Sequence, residues 1–457
     1  MLRDIYGQTT SLQKLTTLED WNATLEAFMA HAAVTPEHLA RTLAAEPDFA
    51  LGHAVKGLFY LLLGRRELVE TAREGHLAAK SAAQRCPVSD RERGFIDALG
   101  AWLGGQPSAA IARLEEVLTA NPADTLAMKL SHAIRFVLGD GAGMLRSVEA
   151  VMPAYAPDHA GLGYLMGCHA FALEENGDFA HARFVGRQGL ALRPDDAWGL
   201  HAVAHVYDMT GDAAGGLDWL EGREGAWAHC NNFRYHVWWH KALMHLDLGQ
   251  HRDVLALYDH EIRQDKTDDY RDISNATSLL SRLELDGVDV GPRWEELAEI
   301  SANRTEDGCL IFADLHYLLG LIGGGRDAAV KTLMDRIYRD AQRGSNEMDG
   351  RMARPGLSAA AGLEAFGDGD YKTAFLNLAH ARHSMQRIGG SHAQRDVFER
   401  LTIDSGIRAG LLSEAELILR DRMARRGGRE DGYCAARFEM IANAQATAAR
   451  NDHLAAE

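Results

Sequence analysis

At 457 residues, 46% of them hydrophobic and 25% charged, the chain has the balance of a soluble globular protein and ample apolar material for a core. Its formal charge of -17, from 48 basic and 65 acidic residues without a long lysine or arginine run, excludes a generic phosphate-binding surface, so no nucleic-acid partner is expected. The first residues lack an apolar leader, no run of 18 apolar residues follows, and five scattered cysteines never take CxxC spacing; the expectation is a reduced, cytoplasmic chain without membrane contact.

Taken in chain order, helical hairpins recur. EPDFALGHAVKGLFYLLLGR from Glu46 is a loose first copy of a pattern that returns at 121–140 (NPADTLAMKLSHAIRFVLGD), 156–178 (APDHAGLGYLMGCHAFALEENGD) and 193–212 (RPDDAWGLHAVAHVYDMTGD). Each opens on proline with acidic residues, runs as a helix and closes at Gly-Asp. Proline ends the preceding helix, the acidic residue can cap the new one, and Gly139, Gly177 and Gly211 end it. Pro122, Pro157 and Pro194 stand 35 and 37 residues apart, close to the ~34-residue tetratricopeptide period. Second helices such as FAHARFVGRQGLAL lie between them. Past position 230 the rhythm continues with weaker punctuation through HRDVLALYDHEIR, DAAVKTLMDRIYRD and YKTAFLNLAHARHSM. The reading is all-α: a tetratricopeptide-like superhelix of hairpins, an α-solenoid, as one continuous domain over residues 1–457. The arginines at 420, 422, 425, 426 and 429 are expected to form a solvated helix end.

Two histidine pairs stand out on this scaffold. His201 with His205, and His236 with His240, are each four residues apart, so each pair presents two imidazoles on one helical face, where Asp208 also falls. First helices line the concave face of such superhelices, and His53, His132, His169 and His316 lie in first helices too. Neutral imidazole is a common ligand for zinc, iron or manganese, so His201, His205, His236, His240 and His316 are candidate ligands of a divalent transition metal. The competing reading makes them hydrogen-bonded core residues beside Trp198, Trp238 and Trp239. Asp314 and His316 are two apart and diverge on a helix; His316 is the residue expected to face inward. Ser391 and Gln394 fit an S-x-x-Q capping box, which leaves Arg395 to bind a carboxylate or to pair with an acid such as Asp272. His132 and Arg282 read as satisfied core residues.

The stretches MKLSHAIRFVLG, DDAWGLHAVAHVYDM, HVWWHKAL, SRLELDGVDVGPRW, LIFADLHYLLG and GGSHAQRDVF resemble the tetratricopeptide repeat protein 38 family over nearly the whole chain. The resemblance implies a helical-repeat fold; it carries no biochemical activity.

Two functions follow. One is a metal-dependent hydrolase of a small polar substrate, with Asp208 or Asp314 accepting a proton and Arg395 holding substrate or developing charge. The other is an interaction scaffold whose groove binds a peptide or partner protein.

Overall fold

The computed structural model describes the backbone of residues 2–456, and every side chain there except those of 449 and 451–456. From Leu15 onward the described chain is a succession of helices; ahead of them Leu2–Arg3 pairs antiparallel with Thr9–Thr10. Consecutive helices pack in pairs: Thr125–Leu138 on Gly141–Val151, Leu162–Glu175 on Phe179–Leu192, Ala197–Met209 on Ala213–Leu220, and Phe233–Asp247 on His251–Leu257. No helix among the described residues is long and apolar enough to cross a membrane, and the five cysteines are unbridged.

The Gly-Asp punctuation serves two helices at once. Gly139, Gly177 and Gly211 take φ of 68°, 86° and 62°, the left-handed turn that L side chains resist. The aspartate after each then caps the second helix: Asp140 accepts from Gly143 N at 2.9 Å, Asp178 from His181 N at 3.2 Å and Asp212 from Gly215 N at 3.1 Å. One start comes later than its proline predicts. The Leu162–Glu175 helix begins only after a turn in which His159 Nδ1 accepts from Gly161 N at 3.0 Å.

Burial divides the hairpins into layers. In Ala197–Met209 every side chain but Asp208 is buried, whereas Phe179–Leu192 buries only Ala182, Gly186 and Gly189. First helices therefore form the inside and amphipathic second helices the outside. The small residues permit close approach; a Cβ on Gly186 would stand 2.6 Å from Val203 Cγ2.

The chain also closes on itself. Ala33 N donates to His229 O at 3.1 Å and Asn231 N to His31 O at 2.8 Å, Arg65 Nη1 reaches Asp268 at 2.9 Å, and Arg351 Nη1 reaches Leu138 O at 2.7 Å. Such contacts between distant hairpins go beyond the nearest-neighbour packing of a simple repeat stack. The block GGSHAQRDVF carries several of them. Its Ser391–Gln394 capping box forms as predicted, and His392 N donates to Glu175 Oε1 at 2.6 Å across the interior.

The C-terminal arginines are not the solvated helix end expected. Arg420 and Arg425 stay near the surface, but Arg422 and Arg426 are buried in ion pairs: Arg422 with Asp396 at 2.6 Å and Asp431 at 2.8 Å, Arg426 with Asp208 at 3.0 Å. Alternation of charge along a helix gives no hint of acids arriving from other hairpins.

Candidate metal centre

Each histidine pair stacks along one helix, and packing of Ala197–Met209 against Phe233–Asp247 brings the two pairs face to face. All four Nε2 atoms converge. His205 Nε2 is 2.8 Å from His201 Nε2, His201 Nε2 is 3.1 Å from His236 Nε2, and His240 Nε2 is 3.2 Å from His236 Nε2. One ligand nitrogen from each ring lies within 4.8 Å of all the others, so the cluster could hold a metal ion. Four nitrogens placed tetrahedrally about one ion at 2.0–2.1 Å would be about 3.3–3.4 Å apart, and the three neighbouring pairs here stand at 2.8, 3.1 and 3.2 Å.

The outward nitrogens show how the rings are oriented. His236 Nδ1 lies 3.0 Å from Asn275 Oδ1, and His205 Nδ1 faces Glu174 Oε2 at 3.5 Å. A ring that gives its Nδ1 proton to such a partner turns an Nε2 lone pair inward, the arrangement in which an outer carboxylate or amide orients a ligating imidazole. Glu174 is fully buried and has no close hydrogen-bond donor, its one polar approach within the cluster being the 3.5 Å to His205 Nδ1. A buried carboxylate without close donors is costly, and a cation held by the four rings would offset that cost.

Electrostatics favour neutral rings. Burial, reinforced by the neighbouring imidazoles, holds His201 and His240 well below the usual histidine range, and burial brings His236 down to about 3. His205 is the exception. Burial lowers it, but the charge of Glu174 outweighs that and raises its pKa. An aromatic wall keeps the cluster dry: His201 stacks on Phe171 at 5.5 Å and His236 on Trp239 at 5.2 Å, while Trp198 sits 5.0 Å from His201.

His236 also lines a cavity of about 710 Å³, within the size range of small-molecule sites. Its walls are mainly apolar, among them Phe28, Leu39, Phe59, Phe136, Trp198, Phe233 and Phe312.

The remaining candidates lie elsewhere. His316 does not join the four rings; its Nδ1 bonds Phe312 O at 2.7 Å and the ring packs on Phe398 at 5.1 Å. Asp314 is buried against Arg336 at 2.5 Å, an ion pair of the core. Both positions of Ile311–Gly323 are inside because that helix is buried over most of its circumference, so an inward-facing residue there need not reach the site. Asp208 is one turn beyond His205 but is held by Arg426. Arg395 pairs with Glu175 at 3.2 Å rather than with Asp272, whose Oδ2 accepts from Asn232 at 2.7 Å. Burial alone would raise Glu175, but the charges of His392 and Arg395 hold it below its usual value. Since Glu175, Glu174 and His205 also group within 4.8 Å, Arg395 reaches the centre only through a carboxylate. Arg282 is a core residue, donating to Ser278 O at 3.1 Å and Ala393 O at 2.7 Å. His53 and His169 make local bonds, to Pro47 O and Glu149.

Glu174, Glu175 and Asn275 were not singled out by the sequence. The one signal for the glutamates is a pair of acids closing an otherwise apolar first helix, FALEE, just before its terminal glycine. The chain matches no protein-family model.

Proposed function

We propose that this protein is a metal-dependent enzyme of the tetratricopeptide repeat protein 38 type, in which His201, His205, His236 and His240 hold one divalent transition metal beside a small-molecule cavity. The observation that carries the reading is the meeting of four Nε2 atoms from two helices, with His236 common to cluster and cavity. An all-imidazole set with one orienting carboxylate suits zinc or iron better than the harder manganese ion. Hydrolysis is the reaction class assigned, because an ion held by these four rings would, with a fifth coordination position open to the cavity, supply acidified water or polarise a carbonyl. The chain's own part is to keep His201, His236 and His240 neutral, to orient His205 through Glu174 and His236 through Asn275, and to shield the cluster from bulk solvent with Phe171, Trp198 and Trp239. Asp208 and Asp314 have no part in it, since Arg426 and Arg336 engage them.

The test is elemental analysis of full-length protein purified without chelators, for the wild type and for His240→Ala. The expected result is one zinc or iron per wild-type chain and a large loss in the variant. Absence of metal in the wild type, with no uptake on adding zinc or iron(II), would overturn the reading.

A further inference from the structure

The cavity beside the four histidines has two chemically different ends. Where it reaches solvent it is framed by Ala33, Pro36, Ala40 and Leu43, an apolar rim supplied by the Thr35–Ala45 helix and the turn before it. Its deep end is polar and unsatisfied. Lys129 is 4% exposed, and among the described residues no carboxylate lies within 4.0 Å of its ammonium, although the charge of the buried Asp196 acts on it from farther off; its contacts are Cys168 Sγ at 3.8 Å and the Trp198 ring at 4.9 Å. His132, 2% exposed, has no hydrogen-bond partner on either ring nitrogen, and His31 Nε2 is likewise buried and unpartnered. All three line the cavity around Trp198, with His132 at 5.8 Å and His31 at 5.7 Å from that ring.

A buried ammonium that touches no carboxylate, with the charge of the buried Asp196 acting on it only from beyond 4.0 Å, and buried imidazoles without partners are each unfavourable, and their convergence in one cavity supplies what an anion needs. Burial, with the Lys129 charge adding to it, keeps His132 neutral, so its ring has one N–H to give. We propose that the cavity binds an amphipathic carboxylic acid, its carboxylate received by Lys129 and His132 beside Trp198 and its hydrocarbon chain running along the phenylalanine-lined wall toward the Thr35–Ala45 rim. Calling that acid the substrate rests on the metal-enzyme reading: Trp198 separates the carboxylate subsite from His201 by one ring, which brings the acid end of the molecule next to the metal centre. The assignment replaces the small polar substrate expected from sequence with one that matches the apolar lining.

Isothermal titration calorimetry of the full chain with octanoate and with octanamide, which share a chain and differ in charge, tests the assignment. Octanoate binds, and octanamide binds roughly tenfold more weakly or worse, the scale of losing a charge-assisted hydrogen bond. Lys129→Met erases this preference for the acid and Lys129→Arg retains it. No binding of octanoate, equal binding of acid and amide by the wild type, or a Lys129→Met chain that still prefers the acid overturns the proposal. The wild-type comparison needs no variant, so a Lys129→Met chain that fails to fold leaves the test decisive. Metal content is read on the same samples. Acid preference on protein that carries and takes up no metal upholds the ligand class while removing the enzymatic reading; metal without acid preference does the reverse.

Discussion

Replacing Glu174 with glutamine removes one charge from behind the metal centre and changes almost nothing else. The side chain is fully buried, and its one polar neighbour in the cluster is His205 Nδ1 at 3.5 Å. Glutamine keeps the shape but can present an N–H to Nδ1, which favours the tautomer with its proton on Nε2 and closes the inward lone pair. Loss of such an orienting carboxylate weakens metal binding ten- to hundredfold, or ~1.4–2.7 kcal/mol. Competition against a chromophoric chelator for zinc at pH 7.5, wild type against Glu174→Gln, measures it directly. In metal-free protein the sign follows from His205. Its folded pKa is raised by Glu174 above the unfolded value near 6.5, so the pair stabilises the fold below that pH, and the contribution is lost as pH rises through the folded pKa. The substitution should therefore destabilise metal-free protein more at pH 6 than at higher pH. Zinc affinity in Glu174→Gln within twofold of wild type would refute the role given to this carboxylate.

His316→Leu should leave metal content at the wild-type level, because its ring is bonded to Phe312 O outside the cluster; elemental analysis showing metal loss would return it to the centre. Asp396→Asn should cost ~3–5 kcal/mol at pH 7, since it leaves Arg400 and Arg422 buried and short of a partner. Burial alone would raise the Asp396 pKa, but Arg422 and Arg400 hold it well below 3.8, so its contribution is present above that pH and lost as pH falls toward the folded value. Urea midpoints should thus differ widely at pH 7, and the gap should begin to narrow only below pH 3.8, by about 1 kcal/mol at pH 3; a gap that stays constant down to pH 3 would contradict the pairing. Gly389→Ala should cost ~2 kcal/mol or more in the same assay, for φ is 93° there and a Cβ would stand 2.2 Å from Val137 O.

Local signals were legible in the sequence. The glycine turns, the aspartate caps, the Ser391–Gln394 box and the two histidine pairs all depend on spacing within one or two turns of chain, and the structure contains each of them. Partners from other hairpins were not. Nothing near His205 announces Glu174, 31 positions earlier, and nothing in IFADLHYLLG announces Arg336, which arrives from the next helix to take Asp314. Periodicity marks a residue as inward; it does not say whether that interior is site or core, and His316 fell on the wrong side of the distinction. The burial of Arg422 and Arg426 was hidden for the same reason, because Asp208 and Asp396 come from far along the chain.

The wall of the cavity begins at Phe28 and is finished by Gly390 and Gln394. A ribosome must therefore deliver nearly the entire polypeptide before the chamber exists, and early hairpins wait with their inner faces wet until the last ones arrive. Hairpins that could in principle be trimmed or multiplied in a modular array are here staves of one vessel, so deleting one whose residues line the chamber opens it rather than shortening it.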